Sequence, residues 1–320
     1  MILLNRRQLR IKVMQALYAF FQSEDENIIV GEKELIKSIE KYYELLLHQL
    51  LFFVEVAEFA SKVQYDAKQK YLPSEEELKT NCRFRDNKII SMIADNIDFN
   101  RKVEQKKISW YEGSEIVHKS FTSFKNSEAY LKYMNLPEVS FQDDKDIILY
   151  FFETLVLDSE LLLNFYEERS IYWVDDLDLV NYTLHKFIKS FKEETLITDT
   201  FSIFQFDETD EKEDHDYIIN LFRKTIYNQG EYEKLISDKT KNWEVERIAM
   251  MDVLLMKMAI CEVVEFSNIP VKVSLNEYIE ISKNYSTPKS KIFINGILDK
   301  IVEELKENNK IKKVGRGLMQ

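Results

Sequence analysis

The sequence predicts an all-α protein built from helical bundles. Its 320 residues include only 6 Gly and 4 Pro, too little punctuation for a sheet-rich fold. Leu, Ile, Lys, Glu, Phe and Tyr dominate, and apolar residues recur every three or four positions rather than every two. Toward the C-terminal end, cap residues and prolines divide these runs into helix-sized words. The length suits one large domain or two ordinary ones, and a hydrophobic fraction of 45% is that of a globular chain.

In chain order, Asn5 to Gln22 is the first expected helix. Leu9, Val13, Ala16, Leu17 and Phe20 share its core side, and Arg7, Ile11, Met14 and Tyr18 the other. Gly31 to about Tyr71 reads as one long helix, with Leu35, Ile39, Tyr42, Leu46, Leu50, Phe53, Val56 and Ala60 in register. A polar connection, Leu72 to Asp86, precedes expected helices over Asn87 to about Lys107 and Glu115 to Met134. Asp144, Asp146, Ile148, Phe152 and Trp173 recur 70 residues later as Asp214, Asp216, Ile218, Phe222 and Trp243, a weak hint of an internal repeat. The strip Asp207 to Asp216, DETDEKEDHD, reads as a linker.

The stretch Trp243 to Leu305 organises the chain. Val253, Leu254, Met258 and Ile260 nearly surround its first helix, which suits a core element. Asn268-Ile269-Pro270 breaks that helix. Ser274 and Glu277 then offer a capping box, with Val273 and Tyr278 as its hydrophobic staple. Thr287 and Pro288 start a last helix whose stripe is Ile292, Phe293, Ile297, Leu298, Ile301, Val302 and Leu305.

Catalytic classes find no support. His48, His118, His185 and His215 are scattered, and none has a second His at i+4. The Asp143, Asp144, Asp146 and Asp175, Asp176, Asp178 groups lack the Gly and terminal Glu of a calcium loop and read as helix-start acids. There is no GxGxxG and no P-loop, so the expectation is a protein that is not an enzyme and needs no cofactor or metal. Cys82 and Cys261 lie far apart with no CxxC, which fits a reducing cytoplasm. MILLNRRQLR is a poor signal peptide, and Leu45 to Val54 is too short to span a bilayer. A cytoplasmic location without membrane contact is expected.

The net charge of −12 argues against a general nucleic-acid coat but leaves room for a local basic site. Arg6, Arg7, Arg10 and Lys12 put four positive charges on two turns at a helix N-terminus, where the macrodipole does not favour them. A phosphate backbone would favour them, and a solvated basic turn is the plain alternative. Lys289, Lys291 and Phe293 open the last helix and suit phosphate contact and base stacking, or two solvated lysines beside a core ring. Asp252 shares a face with Met256, Ala259 and Val263. It reads as a surface edge or as the charged member of a protein contact, on a helix that Met250, Met251, Met256 and Met258 make adaptable. The tail with Lys306, Lys310, Lys312, Lys313 and Arg316 is basic and expected to be flexible when free.

The words NWEVERIAMMDVLLMKMAICEV, NIPVKVSLNEYIEISKNYS and TPKSKIFINGILDKIVEEL, in that order, resemble the C-terminal bundle of the NusB family of bacterial transcription antitermination factors. The matching residues are Trp243, Arg247, Asp252, Leu255, Lys257, Ala259, Glu262, Pro270, Leu275-Asn276-Glu277 and Phe293 to Lys300. Met14-Gln15-Ala16-Leu17-Tyr18, preceded by Arg6, Arg7 and Arg10, is similar to the family's first helix, although Gln8 stands where the family often has a third consecutive Arg. The resemblance covers residues 1 to about 23 and about 214 to 306. It implies an enlarged member: a first helix at 1–23, an inserted helical region at 24–213, a NusB-like region at 214–306 and a basic tail at 307–320.

The resemblance also implies a role. Such a protein pairs with the ribosomal protein NusE, and the pair grips boxA-like single-stranded RNA, whose unstacked bases are open to edge and face contacts. The bound RNA loads onto the RNA polymerase elongation complex with other Nus factors and suppresses termination in ribosomal RNA operons. Arg6, Arg7, Arg10, Tyr18, Lys289, Lys291 and Phe293 would serve RNA, and Asp252, Met256 and Glu262 the protein partner. The runner-up is a helical interaction scaffold that has lost RNA binding. An RNA methyltransferase with a NusB-like domain is disfavoured, because its cofactor loop and catalytic Cys words are absent.

Overall fold

The computed structural model describes residues 4–23, 27–69, 71, 81–204, 208–240 and 248–318. Among them the regular structure is α-helix with two short 3-10 turns and no strand, as expected. The chain forms two compact units, residues 1–39 with 206–320, and residues 40–205.

The first unit holds α1 (Arg6–Gln22), the opening turns of α2 (Ile28–Lys68), α10 (Glu208–Tyr227), α11 (Gln229–Lys239), α12 (Met250–Glu265), α13 (Val271–Tyr285) and α14 (Ser290–Glu307). Its centre is α12, with eleven of sixteen residues buried, among them Leu255, Met256, Met258, Ala259 and Val263. The all-round apolar sequence requires that position: α1, α10, α11, α13 and α14 all pack on it. The first unit thus takes in the chain as far as residue 39. The start of α2 belongs with this unit, where Glu32 pairs with Arg223 and a Cβ on Gly31 would lie 2.7 Å from the Phe222 ring. Only glycine admits that approach.

The second unit holds the rest of α2 with α3 (Lys88–Ala94), α4 (Ile97–Lys106), α5 (Ser114–Lys125), α6 (Glu128–Met134), α7 (Phe141–Leu155), α8 (Glu160–Arg169) and α9 (Ile171–Ser190). Two expected helices are each divided. Asn96 stops the first by accepting from the Phe99 N–H at 2.8 Å while its amide donates to the Ile197 and Asp199 carbonyls. Ser127 stops the second by accepting from the Tyr130 N–H. Both are ordinary N-caps inside an apolar rhythm. The core is aromatic: His48, Phe52, Trp110, Phe165, Tyr166 and Trp173 lie ring against ring.

Four further expectations change. From Glu208 onward the acidic strip is the opening of α10 instead of a linker. The Ser274–Glu277 capping box is not made: α13 starts at Val271 after Pro270, Ser274 is buried in its second turn, and Val273 is 44% exposed. The last helix starts at Ser290, two residues beyond Pro288. Part of the tail is docked. The Val314 N–H donates to the Ser267 carbonyl at 3.0 Å, Lys313 Nζ donates to the Phe266 carbonyl at 2.8 Å, and Lys310 pairs with Glu231 at 2.5 Å. Trp243 and Arg247 lie outside the described residues. Of the weak repeat, Ile148 and Phe152 on α7 and Ile218 and Phe222 on α10 are all buried. No described helix is long and apolar enough to cross a membrane.

Candidate nucleic-acid interface

Asn5 sets the start of α1. Its side chain accepts from the N–H groups of Arg7 and Gln8 at 3.0 and 3.1 Å, and Gln8 Oε1 accepts from the Asn5 N–H at 2.9 Å. This reciprocal cap fixes the first turn, and with it the directions of three arginines.

Each arginine meets a carboxylate. Arg6 pairs with Asp214 of α10 at 2.7 Å and lies over the Tyr217 ring at 4.3 Å. Arg7 holds Glu277 of α13 through two hydrogen bonds of 2.7 and 2.8 Å. Arg10 points inward, 3% exposed, and grips the fully buried Glu262 of α12 at 2.8 and 2.7 Å. Glu262 also accepts from Tyr217 at 2.5 Å, Ser274 at 2.7 Å and Tyr278 at 3.1 Å. Burial alone would raise the Glu262 pKa, but the Arg10 fork and the hydroxyl donors outweigh it and hold the carboxyl below its ordinary value. Burial would likewise lower the Arg10 pKa, and the Glu262 pairing turns the shift upward. Four helices thus meet at one ionised, hydrogen-bonded carboxylate.

The remaining expected residues divide into a surface set and an inward set. Tyr18 is 41% exposed and sits eleven residues, three turns, beyond Arg7 on the same face. That separates them by roughly 16 Å along the axis. Lys289 and Lys291 are exposed with no carboxylate partner among the described residues, and Phe293 is half-buried. Lys12 is buried. The three residues expected to face a protein partner are turned inward: Asp252 is 5% exposed, and Met256 and Glu262 are 0%. Asp252 accepts from Ser286 and, at 2.7 Å, from Ser290, so its carboxylate pins the turn into α14. Asp252 therefore sets where Lys289 and Lys291 stand.

Charge is divided between the units. Residues 40–205 carry 20 Lys and Arg against 30 Asp and Glu, which leaves the first unit nearly balanced. Among the described residues no three His, Cys, Asp or Glu groups gather as a metal site would require. Sequence reasoning did not single out Asp214, Tyr217 or Tyr278 as members of this site, and assigned Ser274 and Glu277 to a helix cap. Helical spacing places Ser274, Glu277 and Tyr278 on one face of α13, the available signal, but their partners lie far away in sequence.

Residues 178–303 match the family described as the NusB family. Three relatives are each called transcription antitermination protein NusB. That of Salinibacter ruber is 42% identical over 104 residues, 32% of this chain and 65% of the relative. That of Chloroherpeton thalassium is 42% identical over 104 residues, 32% of this chain and 49% of the relative. That of Natranaerobius thermophilus is 34% identical over 91 residues, 28% of this chain and 66% of the relative. The chain thus spans about half to two thirds of the length of these relatives. No solved structure matches it.

Proposed function

Because the chain belongs to the NusB family through residues 178–303, as an enlarged form, we propose that it is a transcription antitermination factor that binds single-stranded RNA. The finer reading is that it pairs with NusE, grips boxA-like RNA and promotes transcription of ribosomal RNA operons as part of an elongation complex. It does so without catalysis. The observation that carries this reading is the packing of α1 on α10, α12 and α13, helices that lie inside the matched region. This packing supports reading the basic first helix as part of the same bundle.

Arg6 and Arg7 supply half-exposed guanidinium groups, Tyr18 an exposed ring, and Lys289 and Lys291 exposed cations, while Phe293 offers a partly accessible face. Guanidinium forks suit phosphate oxygens, and aromatic faces suit unstacked bases. Arg10, Glu262 and Asp252 act from beneath: they fix α1 and the α14 turn so that the surface groups keep their places. A NusE contact involving Asp252, Met256 or Glu262 would be transmitted through that scaffold, since their side chains are covered.

The runner-up, an interaction scaffold without RNA, is favoured by a specific observation: all three α1 arginines already hold carboxylates of the chain. A native gel with labelled boxA-like RNA separates the two. Antitermination predicts an RNA complex that is supershifted when purified NusE is added. A complex with NusE in gel filtration, with no RNA shift at low salt, would support the scaffold instead.

A further inference from the structure

Arg6 and Arg7 are held in a way that Arg10 is not. The Arg10–Glu262 pair is closed to solvent, whereas the Arg6 and Arg7 side chains are 38% and 49% exposed. Their partners, Asp214 and Glu277, are both 19% exposed and come from α10 and α13. Exposed pairs of this kind contribute little to stability. They matter to an incoming anion, because a carboxylate and a phosphate offer a guanidinium fork the same bidentate geometry. A phosphate that reaches Arg7 must displace two hydrogen bonds of 2.7 and 2.8 Å, under the further negative charge of Glu280.

We propose that Asp214 and Glu277 are specificity-determining residues of the RNA surface, resident competitors for the phosphates at Arg6 and Arg7. This rests on the RNA-binding reading above. A generic polyanion gains little by exchanging one anion for another at these forks. An RNA whose bases also meet Tyr18 or the α14 turn gains those contacts in addition, and it alone displaces the carboxylates. Specificity then comes from penalising the wrong partner as well as from attracting the right one. Lys289 and Lys291 have no such carboxylate among the described residues and give the first electrostatic hold.

The test uses the full chain and fluorescence anisotropy with a labelled boxA-like single-stranded RNA and a scrambled RNA of equal length. Asp214→Asn/Glu277→Gln keeps the shape of both side chains and removes both charges. It should bind the scrambled RNA at least about threefold tighter, with a smaller gain on the boxA-like RNA. Its salt dependence should steepen by roughly 0.7 in log–log slope for each arginine that gains a phosphate. The gain should vanish when Arg6→Gln and Arg7→Gln are added. Glu104→Gln, which removes a charge in the other unit, should give none. Equal gains on both RNAs, no gain, or the same gain from Glu104→Gln would overturn the proposal while leaving RNA binding intact. If neither the wild type nor the double variant binds either RNA at low salt, the RNA-binding reading itself falls and takes this one with it.

Discussion

Arg10 on α1 and Glu262 on α12, 252 residues apart in the chain, form a buried two-point ion pair at 2.8 and 2.7 Å. Tyr217, Ser274 and Tyr278 complete the carboxylate's shell from α10 and α13. A buried charge left without its partner is strongly destabilising, whereas removing both charges is far milder. Arg10→Met or Glu262→Gln should therefore lower unfolding free energy by about 3 kcal/mol. The double variant Arg10→Met/Glu262→Met should recover much of the loss. Urea titration of the three variants checks this. Loss of RNA binding in an Arg10 variant alone would then report a damaged bundle, so Arg7 is the cleaner probe of contact.

Acid should weaken the two units in successive pH windows. Burial lowers the His48 pKa from the ordinary 6.5 to about 4 in the second unit. The unfolded chain then takes up the proton first. Stability is intact above about pH 6.5 and falls as pH drops from there toward 4, by roughly 2–3 kcal/mol. Glu262 is also depressed, so its contribution is present above the ordinary carboxylate range and is lost only as pH falls below about 4.3. Denaturant midpoints at pH 7, 5 and 4 should decline, and His48→Met should flatten the step between 7 and 5 whatever its own effect at neutral pH.

Asp252→Ala should behave as the loss of a buried anchor. The Ser286 and Ser290 hydroxyls lose their acceptor, and a decrease of about 1–2 kcal/mol is expected. Ser286→Ala/Ser290→Ala should destabilise similarly while retaining the carboxylate. If Asp252→Ala weakened a NusE complex with no change in melting temperature, a direct contact would replace the anchoring role.

Gly317 gives a local test of the docked tail. A Cβ there would lie 2.0 Å from the Ser267 carbonyl oxygen, a backbone atom that cannot yield cheaply. Gly317→Ala should release the segment around Val314 from Ser267, and limited trypsin digestion should cut after Lys312 and Lys313 faster than in the wild type.

The all-helical fold was legible because so few glycines and prolines interrupt the apolar rhythm, and α12 was recognisable as central because its sides are all apolar. The divisions at Asn96 and Ser127 were missed although both are standard cap residues, since the apolar spacing runs through them. Ser274 and Glu277 fit a local capping pattern, yet their partners are Glu262 and Arg7 on other helices. A one-dimensional pattern cannot tell a cap from a tertiary pair when both use the same residue types. The inward turn of Arg10 and Asp252 was hidden for the same reason: a charged residue beside an apolar stripe looks like a surface edge until its buried partner is known.

The most direct measurement is the salt dependence of boxA-like RNA binding by anisotropy, for the wild type and for Arg7→Gln/Lys289→Gln/Lys291→Gln. An RNA-binding antitermination factor predicts sequence-dependent binding with a log–log slope of about −2 to −3, flattened by about two units in the triple variant with its melting temperature unchanged. Binding that ignores RNA sequence, or a triple variant that binds as tightly as the wild type, would contradict it.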